Sequence, residues 1–199
     1  MESKEINRSY DAPIFIVGFT AVGKTTIGKC LAERLQKRFI DTDEYIQWKY
    51  HNSIGTMMME CGIEKFRKRE KVILLELSQQ QGCIISTGGG MACWSDNMDT
   101  MLQKGLVIYL ESTPVLLAER LYLVRDSRPL VRGMSREEVE QYIAHTLPKR
   151  LPFYQKAHCT IPVQQLETEA DLLAVVDQVV ECLSHLSPDY RQIPSPSRS

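Results

Sequence analysis

Three observations predict an α/β fold, a parallel sheet with helices on both faces. Short apolar runs at 14–17, 39–40, 83–85, 106–110 and 160–163 alternate with helical stretches at 24–36, 64–78, 114–121, 136–154 and 169–183. Strands that alternate with helices build βαβ units, whose sheet is parallel and covered on both sides. The first run leads straight into Gly18-Phe19-Thr20-Ala21-Val22-Gly23-Lys24-Thr25 and then into a helical pattern. That is the strand–loop–helix setting of a phosphate-binding loop, G-x-x-x-x-G-K-[ST]. Finally, 199 residues of which 43% are hydrophobic make one domain of ordinary size with a substantial core.

Each element follows from its residues. Ile14-Phe15-Ile16-Val17 is an apolar run of strand-forming residues. In the loop after it, backbone N–H groups of Ala21, Val22, Gly23, Lys24, Thr25 and Thr26 form a cradle for phosphates, helped by the dipole of the helix they open. The helix itself is read from Ile27, Leu31 and Leu35, spaced four apart. Later helix starts are signed by capping residues. Ser112-Thr113-Pro114 offers a cap with proline in the first turn. Ser135-Arg136-Glu137-Glu138 fits a capping box. Thr168 precedes the last helix, whose stripe is Leu172, Val175, Val176, Val179 and Leu183.

Composition excludes several classes. The formal net charge of -1 gives no reason to expect a nucleic-acid or membrane-surface partner. No apolar stretch approaches membrane-spanning length, and the first residues lack a signal-peptide core, which points to the cytoplasm. The 6 cysteines include no C-x-x-C pair and are expected to be reduced thiols; the 4 histidines show no metal-ligand spacing. Residues 1–12 read as an N-terminal extension. Residues 186–199, rich in serine and proline, read as a disordered tail.

The loop predicts where a triphosphate lies, and other residues must meet its far end. Lys24 would reach the β/γ-phosphates, and the Thr25 hydroxyl would ligate Mg²⁺. Asp41-Thr42-Asp43 follows the second strand, at the carboxyl end that faces the ligand crevice of an open parallel sheet. There Asp41 could support the metal, while Asp43 could accept a proton or hydrogen bond from an attacking hydroxyl. Thr87-Gly88-Gly89-Gly90 follows the third strand and lets a ligand approach the backbone closely. The segment 121–133 carries Arg125, Arg128 and Arg132, suited to closing over a nucleotide and stabilising a transferring phosphoryl group. Arg67 and Arg150, if both face the crevice, predict an anionic substrate bearing a carboxylate, which an arginine fork binds bidentately.

Taken in order, these residues resemble the shikimate kinases, a family of small P-loop kinases. The matching words are 18–26, Phe39-Ile40-Asp41-Thr42-Asp43, Ser53-Ile54, Phe66-Arg67 with Glu70, Ser86-Thr87-Gly88-Gly89-Gly90, Val107-Ile108-Tyr109-Leu110, Arg128-Pro129-Leu130 and Arg150-Leu151-Pro152-Phe153-Tyr154. The resemblance implies a three-layer P-loop kinase fold over residues 13–185. Its five-stranded parallel sheet has order 2-3-1-4-5, with a mobile lid at about 122–133. It implies transfer of the γ-phosphoryl of ATP to the 3-hydroxyl of shikimate, a step toward chorismate and the aromatic amino acids, with Mg²⁺ accompanying ATP. ATP and shikimate are then the small-molecule partners of a monomer.

By the same resemblance Asp43, Lys24 and Arg128 are catalytic. Asp43, Arg67, Gly88, Gly89, Gly90 and Arg150 hold the substrate, Gly89 through its backbone, and Arg67 and Arg150 take the carboxylate. Arg120 stacks on adenine, Arg128 reaches the phosphates from the lid, and Thr25 and Asp41 serve the metal. The chain departs from the family pattern at Ile63, which replaces a usual glutamate. It also departs at Met57-Met58-Met59, where an aromatic residue is common, and at Gln164-Gln165-Leu166-Glu167, where a basic residue near adenine has no counterpart. A gluconate kinase would share the fold but not the two arginines with the glycine triplet. A non-catalytic nucleotide binder would have lost one of Lys24, Asp43, Arg67, Arg128 or Arg150, and all are present.

Overall fold

The computed structural model describes residues 11–186. Of the tail expected at 186–199, Leu186 is instead the last residue of a helix, and the rest lies outside the described residues, as do all but the last two residues of the expected N-terminal extension. Five parallel strands, β1 (Ile14–Gly18), β2 (Arg38–Asp41), β3 (Cys83–Ser86), β4 (Leu106–Glu111) and β5 (Cys159–Pro162), form one sheet in the order β2-β3-β1-β4-β5. The helices are α1 (Lys24–Leu35), α2 (Thr42–Tyr50), α3 (Ile54–Leu77), α4 (Asn97–Lys104), α5 (Pro114–Val124), α6 (Arg136–Tyr154) and α7 (Glu169–Leu186). Strand order, parallel pairing and the two helical layers are those expected.

The central strands are apolar throughout because both faces are covered. Ile14 and Ile16 on β1, with Leu106 and Ile108 on β4, face a core shared with α1, α5, α6 and α7. Phe15, Val17, Val107 and Tyr109 face the opposite core, built with α2, α3 and α4 and closed by Tyr154 from the end of α6. The edge strand β5 alternates instead, with Cys159 and Ile161 inward and Thr160 and Pro162 exposed. β1 sits between β3 and β4, so the connections leaving its neighbours diverge at its carboxyl end and open a crevice there.

The predicted caps are in place. Thr113 accepts from Leu116 N–H, Thr168 from Asp171 N–H, and Ser135 and Glu138 form the reciprocal capping box. Two helices were not expected. α2 buries only Thr42 and Ile46, and α4 only Asn97, Met98 and Met101, so neither shows a wide apolar stripe. The helix expected at 64–78 begins ten residues earlier, at Ile54. Gly62, at φ 76°, breaks the helical path, so the pattern read from sequence covered only the second limb.

The cysteine expectation is corrected. Cys159 and Cys182 form a disulfide, while Cys30, Cys61, Cys83 and Cys93 are free. The 23-residue separation carries no signal in sequence. Packing α7 beside β5 brings the two Cα atoms to 6.5 Å, within bridging range.

Candidate active site

The crevice at the carboxyl ends of the strands has a volume of about 750 Å³. Of the residues expected to bind or to close over a ligand, all line it except Val22 and Arg125. Val22 has its side chain in the core and donates its N–H to the Phe19 carbonyl at 3.3 Å, so it supports the loop from beneath.

The loop from β1 to α1 is wound by Gly18, Ala21 and Gly23, all at positive φ. Gly18 passes so close to β4 that a Cβ there would lie 2.6 Å from the Leu110 carbonyl oxygen. Lys24, at the first position of α1, is 8% exposed and folds its ammonium onto the carbonyls of Gly18 (3.0 Å) and Phe19 (2.8 Å). Burial lowers its pKa to about 8, with Asp43 pulling the other way.

Asp41 ends β2 and caps α2. One carboxylate oxygen accepts from the N–H of Asp43 at 2.9 Å, and the other accepts from the Thr25 hydroxyl at 2.7 Å. Capping of α2 therefore falls to Asp41, and the Asp43 side chain faces the crevice. There Asp43 pairs loosely with Arg128 of the lid, at 3.8 Å. Burial raises the Asp43 pKa and Asp41 adds to this, while Lys24, Arg128 and Arg67 oppose it.

The segment after β3 is held from three sides. Gly88 N–H donates to the Thr42 hydroxyl at 2.9 Å, Met91 N–H to the Gly88 carbonyl, and Cys93 N–H to the Gly90 carbonyl. These glycines are needed for close approach. A Cβ on Gly88 would lie 2.7 Å from an Asp43 oxygen, and one on Gly90 would overlap the Arg67 guanidinium.

Arg67 and Arg150 come from opposite walls. Arg67, on α3, forms a buried ion pair with Glu70 one turn on. Burial raises the Glu70 pKa to about 7, against the pull of Arg67. Arg150, on α6, donates to the Gly89 carbonyl at 3.1 Å and lies over the Phe19 ring at 5.0 Å. On the nucleotide side, Arg120 donates to the Gln164 carbonyl at 3.1 Å, and its Nη1 is buried without a partner among the described residues. Leu166 from the same loop packs against Gly23.

The segment expected to act as a lid joins α5 to α6 through two short 3₁₀ turns, Arg125–Ser127 and Pro129–Val131. Only one of its three arginines turns to Asp43. Arg125 stacks on Tyr122 at 4.0 Å, and Arg132 donates to the Asp126 carbonyl at 3.0 Å. Sequence reasoning assigned no role to Glu70, Thr42, Tyr142 or Tyr154. Glu70 carried one signal, its i,i+3 spacing from Arg67. Thr42, Tyr142 and Tyr154 meet the site only through tertiary contacts.

A family model described as "Shikimate kinase" matches residues 20–184. A shikimate kinase from Parabacteroides distasonis is 39% identical over 170 residues, covering 85% of this chain and 98% of that protein. The crystal structure of a shikimate kinase from Bacteroides thetaiotaomicron superposes with a TM-score of 0.84 at 35% identity, covering 87% of this chain and 98% of that one. A shikimate kinase from Acinetobacter baumannii, solved in complex with shikimate, gives a TM-score of 0.77 at 32% identity, covering 87% and 94%.

Proposed function

Since the chain belongs to the shikimate kinase family, we propose that it transfers the γ-phosphoryl of ATP to the 3-hydroxyl of shikimate, giving shikimate 3-phosphate on the way to aromatic amino acids. One observation carries the reading: Asp43, Arg67, Gly88, Gly89, Gly90, Arg128 and Arg150 converge on the same crevice as the phosphate loop. The catalytic domain is 13–185, with 122–133 as its lid.

Phosphoryl transfer needs alignment and charge neutralisation more than covalent help. The loop N–H groups and Lys24 hold the β/γ-phosphates, Arg120 lies along the adenine, and Arg128 swings from Asp43 to the transferring group as ATP binds. Arg67 and Arg150 grip the carboxylate, and the Gly89 backbone meets the substrate edge. Asp43 then orients the 3-hydroxyl and accepts its proton. A raised Asp43 pKa makes it a better base than a free carboxylate, provided it is ionised when the hydroxyl arrives. Closure of the lid excludes water and limits wasteful hydrolysis of ATP.

The Thr25 hydroxyl and the Asp41 carboxylate, 2.7 Å apart beside the loop, are hard oxygen donors that fit Mg²⁺. Thr25 would bind the ion directly and Asp41 through water. When bound, the ion offsets phosphate charge and orients the triphosphate. No helix among the described residues is long and apolar enough to cross a membrane. We take the protein to act as a cytoplasmic monomer.

The test is ADP release with MgATP, with and without shikimate, and again with gluconate. Shikimate-dependent turnover is expected, with none on gluconate; absence of turnover with shikimate would sink the reading.

A further inference from the structure

Resting on the shikimate kinase reading, we propose that Tyr154 is a positioning residue for substrate binding. Its hydroxyl, with Arg150, holds the Gly89–Gly90 peptide so that the carbonyl points away from the anionic substrate.

Tyr154 is the last residue of α6 and is fully buried. Its ring stacks on Tyr109 of β4, with centroids 5.2 Å apart. Its hydroxyl donates to the Gly89 carbonyl oxygen, which also accepts from Arg150 Nη1 at 3.1 Å. Arg150 and Tyr154 are four residues apart on α6, so one face of its last turn presents both donors. A carbonyl oxygen has two lone pairs, and both are engaged here. Burial raises the Tyr154 pKa well above its ordinary value, so the hydroxyl stays protonated and remains a donor.

The peptide is planar and trans, so fixing the Gly89 carbonyl also fixes the Gly90 N–H on the opposite side. The Gly88 carbonyl is held by Met91 N–H, which fixes the Gly89 N–H in the same way. Glycine has no side chain to resist a peptide flip, and a flipped carbonyl would face the substrate carboxylate. Tyr154 also shares the load on Arg150. With the hydroxyl present, the Arg150 guanidinium is steadied over Phe19 and keeps N–H groups for the carboxylate. Without it, Arg150 alone must hold the carbonyl.

The test is steady-state kinetics on the full chain with MgATP and shikimate. Tyr154→Phe keeps the ring stack and removes only the hydroxyl. The KM for shikimate is expected to rise about tenfold, the scale of one lost hydrogen bond, with kcat and the KM for MgATP within about twofold. Tyr109→Phe, which removes the hydroxyl of the stacking partner, should change neither KM. An unchanged shikimate KM in Tyr154→Phe overturns the proposal. So does an equal rise in both KM values, which marks general loosening.

If Tyr154→Phe does not fold, 4-fluorophenylalanine at 154 fills the place of the hydroxyl with no proton to donate. Its shikimate KM should again rise about tenfold. An unchanged value overturns the proposal. Failure of the wild-type protein to turn over shikimate removes the functional reading and this inference together. Normal wild-type turnover with an unaffected Tyr154→Phe removes this inference alone.

Discussion

At the residue scale, the crevice holds two charges in settings that desolvate them. Lys24 is desolvated against two carbonyls, and Asp43 is buried opposite Arg128. In the proposed roles, a bound triphosphate would give Lys24 a stronger partner than those carbonyls, and a substrate hydroxyl would give Asp43 one. The two residues should therefore separate in mutants. Asp43→Asn keeps shape and loses the base, so kcat should fall by about 10² to 10⁴ while nucleotide affinity stays within a few-fold; titration calorimetry with MgATP checks the second half. Lys24→Ala should weaken nucleotide binding itself.

Glu70 gives a pH prediction. Its folded pKa of about 7 lies above its ordinary 4.5, so the folded state holds the proton more tightly than the unfolded chain. That stabilisation is complete below the ordinary value and is lost as pH rises toward 7. Thermal melts at pH 5 and pH 8 should show wild-type stability falling across this interval by more than that of Glu70→Gln, since glutamine does not titrate.

At the element scale, the loop between β1 and α1 carries a strained position. Ala21 adopts φ 67°, the left-handed region that costs a residue with a Cβ about 1–2 kcal/mol. Ala21→Gly removes that strain but gives the unfolded chain more freedom, worth about 0.4–1 kcal/mol. The net should be a gain of about 0.5 kcal/mol in urea unfolding. Loss of stability would mean that the methyl packing of Ala21 outweighs its backbone. α3 shows how an element can be half legible. Its second limb, with Phe66, Ile73, Leu74 and Leu77 buried, has the helical period, but the first limb lies beyond a break at Gly62. That first limb packs beside the 122–133 segment, with a Cβ on Gly55 placed 3.4 Å from Pro129, so the part hidden from the sequence pattern borders the expected lid.

At the scale of the whole molecule, the disulfide ties the start of β5 to the last turns of α7, at the amino end of the strands, and closes a loop that passes the crevice on its way. The loop inside it supplies the Gln164 carbonyl to Arg120 and Leu166 to Gly23. Cys159→Ser should cost about 2–4 kcal/mol for a loop of this length and raise the KM for MgATP more than that for shikimate. Urea melts with and without reductant, beside kinetics on both substrates, check this; equal melts would mean the bridge adds nothing to stability. Several features were determined by the sequence alone. Alternating runs imposed the parallel sheet, and the spacing from Gly18 to Thr25 imposed the phosphate loop. Asp41 and Asp43 at a strand end marked one edge of the crevice. These are local: each depends on residues adjacent in the chain and on strand or helix periods. Tertiary structure alone decided that the Asp43 carboxylate would meet Arg128 across the crevice. It also decided that Cys159 would find Cys182 and that Tyr154 would reach Gly89 across 65 residues. Such pairings arise from how the helices pack on the sheet, and nothing in the spacing of their residues encodes them.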